Sequence, residues 1–141
     1  MKKLKIAVIS SYPPSKRTLN EYGYYMINHF RKKKSDYDSV TLLSDFLPDG
    51  KEFDFGSGDV PIEVEQVWDF NMWSNPLKIL KAVKKSKADV VLYNIQFLSF
   101  GDKKIPAALG LITPWLTKKS GYPSIVLLHN ILEQVDLTSA G

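Results

Sequence analysis

Cysteine is absent from the 141-residue chain, which excludes a disulfide framework, a cysteine-rich zinc site and a thiol nucleophile together. That absence suits a cytoplasmic protein. Only two histidines occur, His29 and His129, and so distant a pair with no third ligand in evidence does not make a metal site. Long apolar runs are also missing. The longest, such as Ile125 to Leu128, fall far short of the ~20 residues that cross a bilayer, and the lysines after Met1 lead into a strand-like segment, not a signal peptide.

Several catalytic signatures are lacking as well. The turn after the first strand carries neither a Gly-x-Gly-x-x-Gly fingerprint nor a Walker-type lysine loop, so nicotinamide binding and phosphate cradling by that turn lose their support. There is no nucleophile elbow, and no pair of carboxylates follows the first strand as a phospho-accepting receiver requires. Gly56-Ser57-Gly58 leads into a strand and reads as a turn.

What is present is a composition of folded-domain type, of a length that suits one domain over residues 1–141. The net charge of +4 conceals three blocks: a basic start as far as Lys34, an acidic middle from Asp36 to Asp69, and a basic remainder. A nucleic-acid interface keeps its positive charge on one face, so the acidic middle argues against such a partner. Phosphate-bearing ligands, or an anionic membrane surface at the inner leaflet, remain compatible.

The periodicities alternate between strand and helix. Lys5 to Ser10 is a β-branched apolar run of the kind covered on both faces in a parallel sheet, and Ser11 to Ser15 with its two prolines is an ordered loop. Tyr22, Met26, Ile27 and Phe30 recur at helical spacing, and Arg31 to Lys34 close that helix at its negative dipole end. Val40 to Leu43 predicts a second strand, and Ser44 to Val60 an irregular crossover. Ile62 to Trp68 alternates apolar with acidic residues, as an edge strand does.

Asn75-Pro76 predicts a helix cap followed by a first helical position, with Leu77, Leu80 and Val83 inward. Val90 to Tyr93 is a buried strand, Pro106 to Lys119 a helix apolar nearly all round and therefore buried or at an interface, and Ser124 to Leu128 a fifth strand. Glu133 to Leu137 has the pattern of a further helix. The alternation argues an α/β fold with a doubly wound, Rossmann-like, mainly parallel sheet.

Ligands of such sheets bind outside the carboxyl ends of the strands, near the point where strand order reverses. There the sequence puts Ser10, Ser11 and Tyr12 after the first strand, Asn94 and Gln96 after the fourth, and His129 with Asn130 after the fifth. His129 is the sharpest of these. Its imidazole can bond a phosphate or hydroxyl or act as a base; equally, it can cap the strand end by bonding backbone. The residue type admits both readings.

Lys5-Ile6-Ala7-Val8-Ile9-Ser10-Ser11-Tyr12-Pro13-Pro14 with a helix entering near Gly23, Ala88-Asp89-Val90-Val91, and Pro123 to Asn130 together resemble the N-terminal domain of GT-B glycosyltransferases, most closely the retaining, nucleotide-sugar-dependent family 4. The resemblance implies the acceptor-side half of a two-domain enzyme. The partner would be a C-terminal domain of the same parent chain that binds most of the donor, and the present chain alone would be inactive. It implies transfer of a sugar to an acceptor hydroxyl with no cofactor and no essential metal. It also implies that His129 lies near the transferred sugar, and that the loop with Tyr12, Pro13, Pro14 and Lys16 closes over acceptor and donor phosphates; Ser11, Arg17, Asn94, Gln96 and Asn130 join the candidate site through their places at the strand ends, and Asn94 and Gln96 stand where many relatives carry histidine. The glycine pair common in that loop is replaced by Arg17, Thr18, Leu19 and Asn20. The competing class is a stand-alone Rossmann-like binding or interaction module, with the charge blocks and the Phe97 to Phe100 loop as its contact surface.

Overall fold

The computed structural model describes residues 2–47, 51–53 and 55–129. Within them run β1 (Leu4–Ile9), α1 (Asn20–Arg31), β2 (Tyr37–Asp45), β3 (Ile62–Trp68), α2 (Asn75–Ser86), β4 (Val90–Gln96), α3 (Lys104–Lys119) and β5 (Ser124–His129). One sheet holds all five strands in the order β3-β2-β1-β4-β5, and every neighbouring pair is parallel. This is the doubly wound, Rossmann-like α/β arrangement, with Ile62–Trp68 at one edge and β5 at the other.

The apolar run of β1 follows from burial on both faces. Ala7 and Ile9 join Ile79, Ala82 and Val83 of α2, with Val67, Tyr93, Ile95 and Phe100, in one cluster. Ile6 and Val8 point the other way, to Tyr12, Ile27 of α1, Val40, Leu42, Val60 and Leu92. Period-two alternation of side chains sends successive residues of one strand into different cores, so both must be apolar.

The described residues between β2 and β3 cover the α1 face without forming a helix, and Arg31 holds them there. Its guanidinium donates to the carbonyls of Val60 (3.2 Å), Phe55 (3.3 Å), Gly56 (3.0 Å) and Gly58 (3.2 Å). A Cβ at Gly58 would collide with Arg31, so the glycine of this turn serves close approach.

Five expectations need correction. β2 runs on to Asp45 and β4 to Gln96, so Ser44 belongs to a strand, and Asn94 and Gln96 are strand residues that do not follow one. Asn75 does not cap α2; it lies inside the helix, accepting from the Asp69 N–H (3.1 Å) and donating to the Asp69 carbonyl (2.7 Å). Leu77 is 73% exposed, because the sheet meets the Ile79, Ala82 and Val83 stripe instead. Finally, α3 is not buried within the domain: it turns Pro106, Gly110, Thr113 and Thr117 inward and leaves Ile105, Ile112 and Trp115 exposed, so of the two expectations only the interface one stays open. Gly110 lies so close to Phe100 that a Cβ would overlap its ring, and small residues let the helix approach there. The pattern Glu133 to Leu137 lies outside the described residues.

Candidate functional site

The chain leaves β1 toward β2 and returns across the sheet to β4, so the carboxyl ends of β1 and β4 mark the switch point where a crevice opens. A string of hydrogen bonds runs along this rim. The Ser10 hydroxyl donates to the Ser11 carbonyl (2.7 Å), and the Asn94 amide donates to Ser10 Oγ (3.0 Å). Asn94 Oδ1 lies 2.6 Å from His129 Nε2. Ser10, Ser11 and Asn94 are buried, whereas His129 is half-buried at the end of β5. β4 and β5 pair in a register that sets Asn94 beside Leu127 and Gln96 beside His129, which brings the imidazole over the Asn94 side chain.

From α1, the Tyr22 ring meets the imidazole edge-on, with centroids 4.5 Å apart, and Gly23 lies directly against Ser10 and Ser11. A groove of about 510 Å³ continues from Tyr22 past Tyr25, Met26, Leu92 and Leu127. Tyr22 therefore belongs to the rim and is 47% exposed, although it shares its helical spacing with the buried Ile27.

The basic part of the first loop occupies a separate cleft. Pro14, Ser15, Lys16, Arg17, Asp45, Phe46 and Lys51 line a cavity of about 540 Å³. Ser15 Oγ donates to Asp45 Oδ2 (2.5 Å), accepts from the Arg17 N–H (3.2 Å), and so ties the loop to the end of β2. The Arg17 guanidinium stacks 4.5 Å above the Phe70 ring and lies 3.8 Å from Asp69. Asp45 Oδ1 is buried, with no hydrogen-bond partner among the described residues.

Burial raises the Asp45 pKa above its ordinary 3.8, against the lowering effect of Ser15 and Arg17. The folded state therefore favours the protonated carboxyl. Stability tied to it is present at low pH and is lost as pH climbs from 3.8 through the raised value. Asp45→Asn keeps an acceptor for Ser15 and cannot ionise. Across that window its stability is expected to gain on that of the unsubstituted chain, as urea melts at closely spaced pH values would register.

Of the residues expected at the site, Ser11, Asn94 and His129 come together at the crevice, with Gln96 at its wall, while Pro14, Lys16 and Arg17 gather in the basic cleft. Pro13, joined to Pro14 by a cis peptide bond, is half-buried between the two. Tyr12 departs from its expected place. It is fully buried against Tyr24, Phe53 and Phe55 at centroid distances of 5.7, 6.0 and 5.1 Å, so its ring packs the α1-side core and does not face a ligand. Asn130 lies outside the described residues.

Asp45 and Lys51 were not singled out by the sequence. Lys51 is the lone base of the acidic block, a signal that was there to read, while Asp45 needed the true end of β2. Among the described residues no cluster of three or more metal-ligating side chains occurs, and no helix is long and apolar enough to cross a membrane.

No family model, curated protein or solved structure matches the chain.

Proposed function

We propose that this chain is the acceptor-side domain of a retaining glycosyltransferase that moves a sugar from a nucleotide-sugar donor to an acceptor hydroxyl. The observation that carries the reading is the imidazole of His129, tied to the buried Asn94 at the carboxyl edge of the sheet beside the β1 loop. A half-buried imidazole beside the Tyr22 ring, at the end of the adjoining groove, suits a carbohydrate, whose many hydroxyls both donate and accept. The parallel order β3-β2-β1-β4-β5 sets that crevice where a second domain can face it.

On this reading His129 bonds a hydroxyl near the reacting sugar, while Lys16 and Arg17 meet an anionic group of acceptor or donor. The departing diphosphate carries negative charge that must be stabilised; that task falls to a donor-binding domain of the same polypeptide, and neither metal nor cofactor is called for. The protein would work in the cytoplasm, with its lysine-rich surface able to meet anionic headgroups at the inner face of the membrane.

The test uses the complete polypeptide the gene encodes. With labelled nucleotide sugars and a mixture of hydroxyl acceptors, His129→Ala is expected to lower sugar transfer about tenfold or more, the worth of one good hydrogen bond in the transition state, in a chain that stays folded at the assay temperature although the freed Asn94 side chain lowers its melting temperature. Near-normal turnover would remove His129 from the reaction. A reading frame with no donor domain after Gly141 would instead favour the interaction module, a reading supported by the exposed Ile105, Ile112 and Trp115 of α3.

A further inference from the structure

The rim carries more information than the presence of a histidine, because its hydrogen bonds fix which ring nitrogen holds the proton. Ser10 has one hydroxyl proton, and at 2.7 Å the Ser11 carbonyl takes it. Ser10 Oγ is then an acceptor toward Asn94, so the Asn94 NH2 must be the end that faces it at 3.0 Å. With the amide so turned, Asn94 presents Oδ1 to His129, and only a protonated Nε2 can satisfy that 2.6 Å contact. The opposite amide orientation would set two acceptors against each other at Ser10.

The string is well placed to hold this arrangement. Ser10 is fully buried and Asn94 is 2% exposed, so water does not compete for their bonds and an unpaired group would be costly. The Tyr22 ring packed edge-on against the imidazole restricts its rotation. His129 takes part in no ion pair among the described residues, and its partner is a neutral amide, which orients the ring without adding a charge. No hydrogen bond engages Nδ1 among the described residues.

We infer that Asn94 and Ser10 are positioning residues that hold His129 as the Nε2–H tautomer, so that the crevice offers Nδ1 as an acceptor and selects a ligand hydroxyl over an anion at that point. The inference rests on the reading of His129 as a ligand-binding group, and extends it to two residues that touch no ligand. A neutral acceptor nitrogen accepts from an O–H and repels the lone pairs of a phosphate oxygen.

The tautomer can be read without any enzymatic assay. Two-bond proton–nitrogen correlation spectra of the uniformly 15N-labelled 141-residue chain, recorded at pH 8.5, separate the two neutral forms, and His29→Gln assigns the signals. His129 is expected to be wholly in the Nε2–H form. Asn94→Leu, which removes the acceptor, and Ser10→Ala, which frees the Asn94 amide to turn over, are both expected to relax it to the mixed population of a solvent-exposed imidazole. Asn94→Asp, which keeps an acceptor in place, is expected to retain the single form.

An Nδ1–H pattern in the unsubstituted chain would overturn the inference, as would a pure Nε2–H pattern that survives Ser10→Ala. The serine variant and the unsubstituted chain carry the test even if the leucine variant does not fold. For the ligand preference, methyl glucoside is expected to shift the His129 Nδ1 resonance and inorganic phosphate at equal concentration to leave it in place; the reverse, or no response to the glucoside, would overturn that half. The tautomer result stands whether or not the full polypeptide transfers sugar, so a failure of the relay and a failure of the glycosyltransferase reading are told apart.

Discussion

Gly23→Ala is expected to destabilise the protein by about 2–3 kcal/mol, the usual cost of forcing one methyl into a packed interior, and to disturb the rim at the same time. A Cβ at this position would press on the Ser11 carbonyl oxygen and on Ser10 Oγ. Both are buried and already committed to hydrogen bonds, so neither can simply swing aside. Retreat of the helix is the way left, and it costs stability where the chain enters α1, at Leu19, which holds a left-handed conformation at φ 67° and accepts from the Gly23 N–H at 2.9 Å.

The relief therefore comes from moving the first turn of α1 off the sheet, and Tyr22 goes with it. Urea melts give the stability loss, and the tautomer signal of His129 reports the second effect. A fully stable Gly23→Ala chain with an unaltered His129 spectrum would show that α1 has slack which the contacts deny.

Trp68→Ala is expected to cost more, about 4 kcal/mol, a large part of the ~5–15 kcal/mol that holds a typical domain together. The indole is 1% exposed, packs at 4.9 Å and 62° against the fully buried Phe100, and donates from Nε1 to the Leu43 carbonyl at 3.0 Å. Two contributions can be separated. Trp68→Phe retains an aromatic ring against Phe100 and loses the indole hydrogen bond, for about 1 kcal/mol from that bond; the Leu43 carbonyl still accepts from the Ser10 N–H at 3.3 Å and is not orphaned. Chemical denaturation of both variants measures the difference. An equal loss in the two would mean that the hydrogen bond, and not the packing, secures the edge strand. Because Trp68 pairs with Asp45 in the sheet, Trp68→Ala should also loosen the end of β2 that forms the floor of the basic cleft.

These two positions illustrate how differently the parts of this protein could be read in advance. Nothing local marks Gly23 as indispensable: it sits in a helix, where glycine is merely tolerated, and its meaning lies in Ser10 and Ser11 across the interface. Trp68, by contrast, closes an alternating segment whose outward acids already announced an edge strand. His129 is intermediate. Its position at a strand end was evident, but its partner Asn94 lies 35 residues away and is brought to it by the β4–β5 register.

The sequence by itself determined the secondary structure and the fold class. The buried run of β1, the acidic alternation of β3 and the loop-forming prolines are local patterns, and backbone geometry turns local periodicity into strand, helix or turn with little help. Tertiary structure decided phase and neighbours: that Leu77 faces water and Ile79 the sheet, that Tyr12 fills a core while Tyr22 covers an imidazole, and that α3 turns small residues inward and Trp115 outward. The physical reason is that a helix with more apolar residues than one face can bury must choose among them. That choice, like the pairing of Asn94 with His129, depends on strand order and register, which arise from contacts between distant residues and leave no local trace.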